Sequence, residues 1–142
     1  MKPSHWLLLL GVLLVAGGGM AVVSNREAII QRIAQAIAFA EGFHVPGSVP
    51  NRLHNPGDLT LDLTGKGIGK EGIYIRYATD ADGFEALERQ VRLMFGGSRF
   101  YHAGMTLWDV AQRYTTTDQE AWARLVAQHL GVPISTKLSD LT

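Results

Sequence analysis

The feature that most constrains this chain is a helix whose two ends are both written into the sequence. Ser24-Asn25-Arg26-Glu27 reads as a capping box, with Ser24 as N-cap and Glu27 at N3. Ile29, Ile30, Ile33, Ala34, Ile37 and Ala38 then recur at helical spacing. A helix this rich in Ala and Ile suits a central, well-buried position. Glu41 closes it and Gly42 stops it. Glu41 follows Ile33 and Ile37 on the same face, so its carboxylate lies at the rim of whatever that face buries. Partial desolvation and the negative end of the helix dipole both disfavour a charge there. Both raise the pKa, as a general acid working near neutral pH requires. The alternative is a solvated carboxylate in a frayed last turn.

The rest of the chain predicts a small lobe and three more helices. Phe43 to Pro56 carries Pro46, Gly47, Pro50 and Pro56 and reads as loop. It leads into Asn51-Arg52-Leu53-His54-Asn55-Pro56-Gly57-Asp58-Leu59, which must return toward the helix end. Leu59, Leu61 and Leu63 alternate with Thr60, Asp62 and Thr64, the pattern of a half-buried strand. Ile73, Ile75 and Tyr77 alternate with Tyr74 and Arg76 and predict its hairpin partner. Gly65 to Gly72 between them reads as a loose tip. Its glycine and lysine spacing fits neither nucleotide fingerprint, and no helix follows it directly. Asp82-Gly83-Phe84-Glu85 reads as a capping box for a helix with Phe84, Leu87, Val91 and Met94 inward, ended by Gly96-Gly97. Thr106 to Asp109 opens a short helix with Leu107, Val110, Ala111 and Tyr114 on one face. Thr117 to Glu120 opens the last helix, with Ala121, Trp122, Leu125 and Val126 inward and Gly131 and Pro133 at its end. Glu85 and Glu120 are read as cap residues, and Trp108 and Trp122 as core. The fold class is α+β and mainly helical, with a β-hairpin lobe facing a helical lobe across a cleft.

Composition narrows the chemistry. The formal net charge is zero, so there is no basic field to draw nucleic acid. There is no Cys, which removes disulfides and thiolate metal sites. His44, His102 and His129 lack ligand spacing, so no metal and no cofactor are expected. From Trp6 to Val23 the chain has eighteen residues without a charge. A transmembrane helix takes ~20 residues (range ~17–25). Residues 1–23 are therefore expected to be an N-terminal membrane helix, with a signal peptide cleaved near Gly19-Met20-Ala21 as the alternative. Residues 24–142 form the expected domain.

Several stretches together resemble the lysozyme-like superfamily, in particular small lytic transglycosylase and muramidase domains of bacteriophage or prophage type. They are Ala40-Glu41-Gly42-Phe43, Pro50 to Leu59, Asp82-Gly83-Phe84-Glu85-Ala86-Leu87, Met105-Thr106-Leu107, Tyr114-Thr115 and Leu130-Gly131-Val132. The resemblance spans roughly Asn25 to Thr142. It implies a lysozyme-like fold and a peptidoglycan substrate, cleaved at the β-1,4 bond between N-acetylmuramic acid and N-acetylglucosamine. It implies Glu41 as catalytic acid, Arg52 and Asn55 as residues shaping the substrate cleft, and Tyr114 and Thr115 as residues near the carboxylate. His54 departs from the family pattern, where a second Asn is common. The implied setting is the cell wall, reached from a membrane anchor, a virion or an envelope assembly.

Two mechanisms follow from the chemistry. A hydrolase needs a second carboxylate, ~5–5.5 Å from the acid if retaining and ~6.5–9.5 Å if inverting. Asp58 and Asp62 are the candidates, although Asp58 could equally serve its turn and Asp62 a solvated strand face. By family analogy, a lytic transglycosylase needs only one Glu, acting first as acid and then as base. With one well-placed Glu, the transglycosylase is the favoured expectation. Arg52 has two readings, pairing with a carboxylate or holding the loop.

Overall fold

The computed structural model describes residues 24–142 and, by backbone alone, two short strands ahead of them. Those strands are β1 (Val12–Val15) and β2 (Gly19–Val22), paired antiparallel with Val12 opposite Val22. They replace the expected membrane helix wherever that stretch is described; the rest of Trp6 to Val23 lies outside the described residues. The local sequence favours this outcome, because β-branched Val12, Val15 and Val22 prefer strand and consecutive glycines weaken a helix. No helix among the described residues is long and apolar enough to cross a membrane.

The domain is mainly helical, as its periodicity predicts. Helix α1 (Asn25–Ala40) buries Ile29, Ile30, Ile33, Ala34, Ala36, Ile37 and Ala38. Ser24 accepts a hydrogen bond from the Glu27 amide (3.1 Å). The Glu27 carboxylate does not close the box and pairs with Arg92 instead (2.6 Å). At the other end Glu41 is the C-cap and Gly42 adopts φ +80°. The Phe43 amide reaches the Ala38 carbonyl (3.0 Å) and the Gly42 amide that of Phe39 (3.2 Å), a Schellman closure.

A four-residue helix, α2 (Val49–Arg52), interrupts the expected loop. Ser48 caps it and Pro50 sits in its first turn, where a missing N–H costs nothing. The hairpin is β3 (Gly69–Glu71) and β4 (Tyr74–Arg76), antiparallel across Gly72-Ile73, with Gly72 at φ +59°. The sequence assigned β3 to the tip and Leu59 to Thr64 to the strand. The correction has a local cause. Asp62 gathers the amides of Thr64, Gly65 and Gly67 and the hydroxyls of Thr64 and Tyr77, winding the segment into a loop.

Helix α3 (Asp80–Gly96) starts earlier than expected, because Thr79 caps it and not Asp82. Glu85 is therefore no cap and pairs with Lys66 (2.8 Å). Helix α4 (Leu107–Tyr114) carries a complete capping box between Thr106 and Asp109. Helix α5 (Gln119–Leu130) begins after Asp118 in the left-handed region (φ +49°), and Glu120 bonds to Arg124 rather than capping. Gly131 ends α5 at φ +73°. A 3-10 turn, Leu138–Asp140, tucks Leu138 into the core.

Helix α1 packs against α5 and α3, and α5 against α4, around one core. A second cluster, Leu59, Ile75, Tyr77 and Ala86, joins the hairpin to α3. The joint is tight. A Cβ on Gly83 would lie 1.9 Å from the His54 carbonyl oxygen and 2.7 Å from Pro56 Cδ. Gly83→Ala is expected to lose about 3 kcal/mol in urea unfolding. Gly96→Ala, facing open space, should change stability little; equal behaviour of the two variants would contradict this packing.

Candidate functional site

The groove follows from where α1 stops. Glu41 sits just past the last buried turn, and its side chain faces an open cavity of about 290 Å³ between the helices and the hairpin. Gly57, Asp58 and Thr60 form one side, Ile73 and Tyr74 of the hairpin another, and Tyr114 with Thr115, Thr116 and Thr117 the third. Glu41 and Asp58 are the two carboxyl groups in that lining, and no cationic side chain is among its described residues.

The turn carrying Asp58 explains its sequence. The Asp58 amide bonds back to the Asn55 carbonyl (3.0 Å), with Pro56 and Gly57 between them. Asn55 is fully buried and its side chain makes three hydrogen bonds. It donates to the carbonyls of Leu59 and Ile75 (both 2.9 Å) and accepts from the Leu59 amide (2.9 Å). The turn is thereby bolted to β4. Gly57 is required for contact, since a Cβ there would meet Leu87 Cδ1 at 2.6 Å and the Tyr114 hydroxyl at 2.8 Å. Tyr114 donates its hydroxyl to the Gly57 carbonyl (2.7 Å). Asp58 itself takes φ +53° and holds a buried Oδ1 with no hydrogen-bond partner among the described residues.

Glu41 is held from below. The Trp122 indole N–H donates to its Oε2 (2.7 Å), and the Trp122 ring stacks on Tyr114 at 5.0 Å between centroids. Burial is the main reason the Glu41 carboxyl is pushed up to about 7. The Trp122 hydrogen bond opposes this, while the charge of Asp58 and a hydrogen bond to it add to the rise. Burial also pushes Asp58 up, against the hydrogen bond it receives from Glu41. Burial thus holds both carboxyls above their ordinary range, and Glu41 keeps its proton to about 7.

The other expected site residues fall elsewhere. Asp62 is not in the groove. Burial raises its carboxyl, but hydrogen bonds from Gly67, Thr64 and Gly65 outweigh that and leave it lowered. Arg52 pairs with exposed Glu71 and donates to the Gly47 carbonyl (2.9 Å), so both of its readings hold and neither involves the groove. Asn55 has no face toward a substrate; it shapes the groove from behind. Tyr114 and Thr115 do line it, and the Thr115 hydroxyl donates to the Thr117 carbonyl (3.0 Å). His54 stands outside, at φ +53°, with Nδ1 2.7 Å from Asp80. Trp108 is partly exposed rather than core, and Trp122 is core with a polar task that its helical spacing did not signal. Among the described residues no group of three His, Asp or Glu side chains is placed to hold a metal ion.

No protein-family model, curated protein or solved structure was found to match this chain.

The raised Glu41 carboxyl ties stability to pH. An unfolded glutamate releases its proton near ~4.3, whereas the folded one keeps it to about 7. Its contribution is complete below the unfolded value and is lost as pH rises toward 7. Glu41→Gln should match the parent at pH 4 and exceed it by about 3 to 4 kcal/mol at pH 8. Denaturant melts at both values check this, and a gain independent of pH would mean the carboxyl is not buried.

Proposed function

We propose that the domain cleaves the β-1,4 bond between N-acetylmuramic acid and N-acetylglucosamine in peptidoglycan, as a lytic transglycosylase of lysozyme-like fold. The observation that carries this reading is Glu41, a carboxyl that keeps its proton to about pH 7 while facing an open groove. Such a group can deliver a proton to the leaving glycosidic oxygen. As a carboxylate it can then take the proton from the muramic 6-hydroxyl, which closes a 1,6-anhydro ring. Asp58 lines the same groove and, as a carboxylate, would offer negative charge to the oxocarbenium-like centre. The hydroxyls of Thr60, Thr115, Thr116 and Thr117 give the groove neutral hydrogen-bonding walls suited to sugar.

A hydrolase is the second reading, favoured by one detail. Asp58 lines the same groove as Glu41, which is where a hydrolase would hold its second carboxylate. A purely structural role for the fold would be expected to tie Glu41 into an ion pair. Among the described residues Glu41 forms no ion pair: it accepts from Trp122, and Arg52 is engaged with Glu71. The setting we propose is the wall side of a membrane or a virion, with the uncharged run Trp6 to Val23 as the tether.

The test is digestion of purified peptidoglycan by the full chain and by Glu41→Gln, with mass analysis of released muropeptides. Anhydro ends are expected, reduced by about 10²–10⁴-fold in the variant, as for loss of a general acid. Activity should decline as pH rises through about 7, where Glu41 loses its proton. Reducing ends abolished by Asp58→Asn would replace the transglycosylase with the hydrolase. Absence of any release would remove both.

A further inference from the structure

We propose that Trp122 is the positioning residue of this groove: its indole N–H occupies Oε2 of Glu41 and so assigns the acid proton to Oε1. The inference rests on Glu41 being the working acid, and the argument for the assignment is geometric. An indole N–H is a donor only. An oxygen that accepts from it at 2.7 Å cannot also present a proton along that direction. The proton of neutral Glu41 is therefore assigned to the other oxygen, and Asp58 lines the same cavity.

Trp122 is placed to enforce this choice. It is 5 % exposed and packs in the main core on α5, so its ring has no room to turn away. Its face lies on Tyr114 at an interplanar angle of 27°. Tyr114 in turn holds the Gly57 carbonyl, one residue before Asp58. Two stacked rings from α4 and α5 thus set both carboxyl groups, one through a direct hydrogen bond and one through the backbone of its turn. The same N–H also serves the ionised state, because a hydrogen bond to a carboxylate is stronger than one to a neutral acid. One donor orients Glu41 as acid and supports it afterwards as base.

The other titratable groups lining the groove are Asp58, Tyr74 and Tyr114, so the test must isolate Glu41. The full chain, labelled with ¹⁵N at its indoles, is titrated from pH 5 to 9. The Trp122 resonance is expected to shift with a midpoint near 7 and to stop shifting in Glu41→Gln. A Trp122 signal indifferent to pH, or one that still titrates in Glu41→Gln, would overturn the proposal. Trp122→Phe keeps an aromatic ring and removes the donor. Its Glu41 carboxyl, followed by ¹³C, should titrate higher by roughly half a pH unit or more, and kcat should fall more than KM. An unmoved midpoint would also overturn the assignment. Because the indole titration needs no substrate, it stands apart from muropeptide release: a chain that titrates as expected but releases nothing would sink the glycosidase reading alone.

Discussion

The placement of one carboxyl at the point where the core ends governs the rest of this structure. Helix α1 is the most buried element, and its apolar face runs to Ala38, three residues before Glu41. Gly42 then reverses the chain through a left-handed turn that no β-carbon favours. The carboxyl is left half inside, too buried to ionise freely and too near the surface to be sealed. A turn earlier it would lie within the core, where an unpaired charge is hardly tolerated. A turn later it would be solvated and titrate as an ordinary glutamate.

Everything facing Glu41 is assembled by close approach. The Asn55-Pro56-Gly57-Asp58 turn touches α3 at Gly83 and α4 at Tyr114, both at distances that forbid a side chain. Asn55 closes the same turn with two hydrogen bonds to Leu59 and fastens it to β4 with a third, to the Ile75 carbonyl, all in the interior where water cannot replace them. The result places Asp58 beside Glu41 in a strained backbone conformation, at φ +53°, with an oxygen unsatisfied. Strain and an orphaned acceptor are both destabilising, and their coincidence at the groove fits a site held by its surroundings rather than by its own comfort. Burial in that setting keeps the Glu41 carboxyl protonated to about 7, and the charge of Asp58 adds to the rise.

Much of the helical frame was legible along the chain. The caps at Ser24 and Thr106, the glycine stops at Gly42, Gly97 and Gly131, and the apolar spacing of α1, α3 and α4 are local signals read at local range. The hairpin was legible as an element but not in register. Alternating Leu59, Leu61 and Leu63 have the period of a strand, but Asp62 among them bonds the following amides and wins the backbone over to a loop. Asp82 does not start α3, because the Thr79 hydroxyl accepts from the Asp82 amide and so draws Asp82 into the first turn.

The sequence alone determined that Glu41 ends a buried helix and that a Pro-Gly turn brings Asp58 after it, because helix period and turn chemistry act over a few residues. Only the tertiary structure decided which groups meet. Trp122 and Glu41 are 81 positions apart, and no spacing rule links them. Asp58 and Asp62 look alike in sequence, yet one faces Glu41 and the other is consumed by backbone amides. The desolvation expected at the helix end is the largest cause of the raised carboxyl. Its final value depends on an indole that lowers it and a second carboxyl that raises it. Electrostatics acts through space at distances of a few ångströms, and those distances exist only once α4, α5 and the turn have packed against α1.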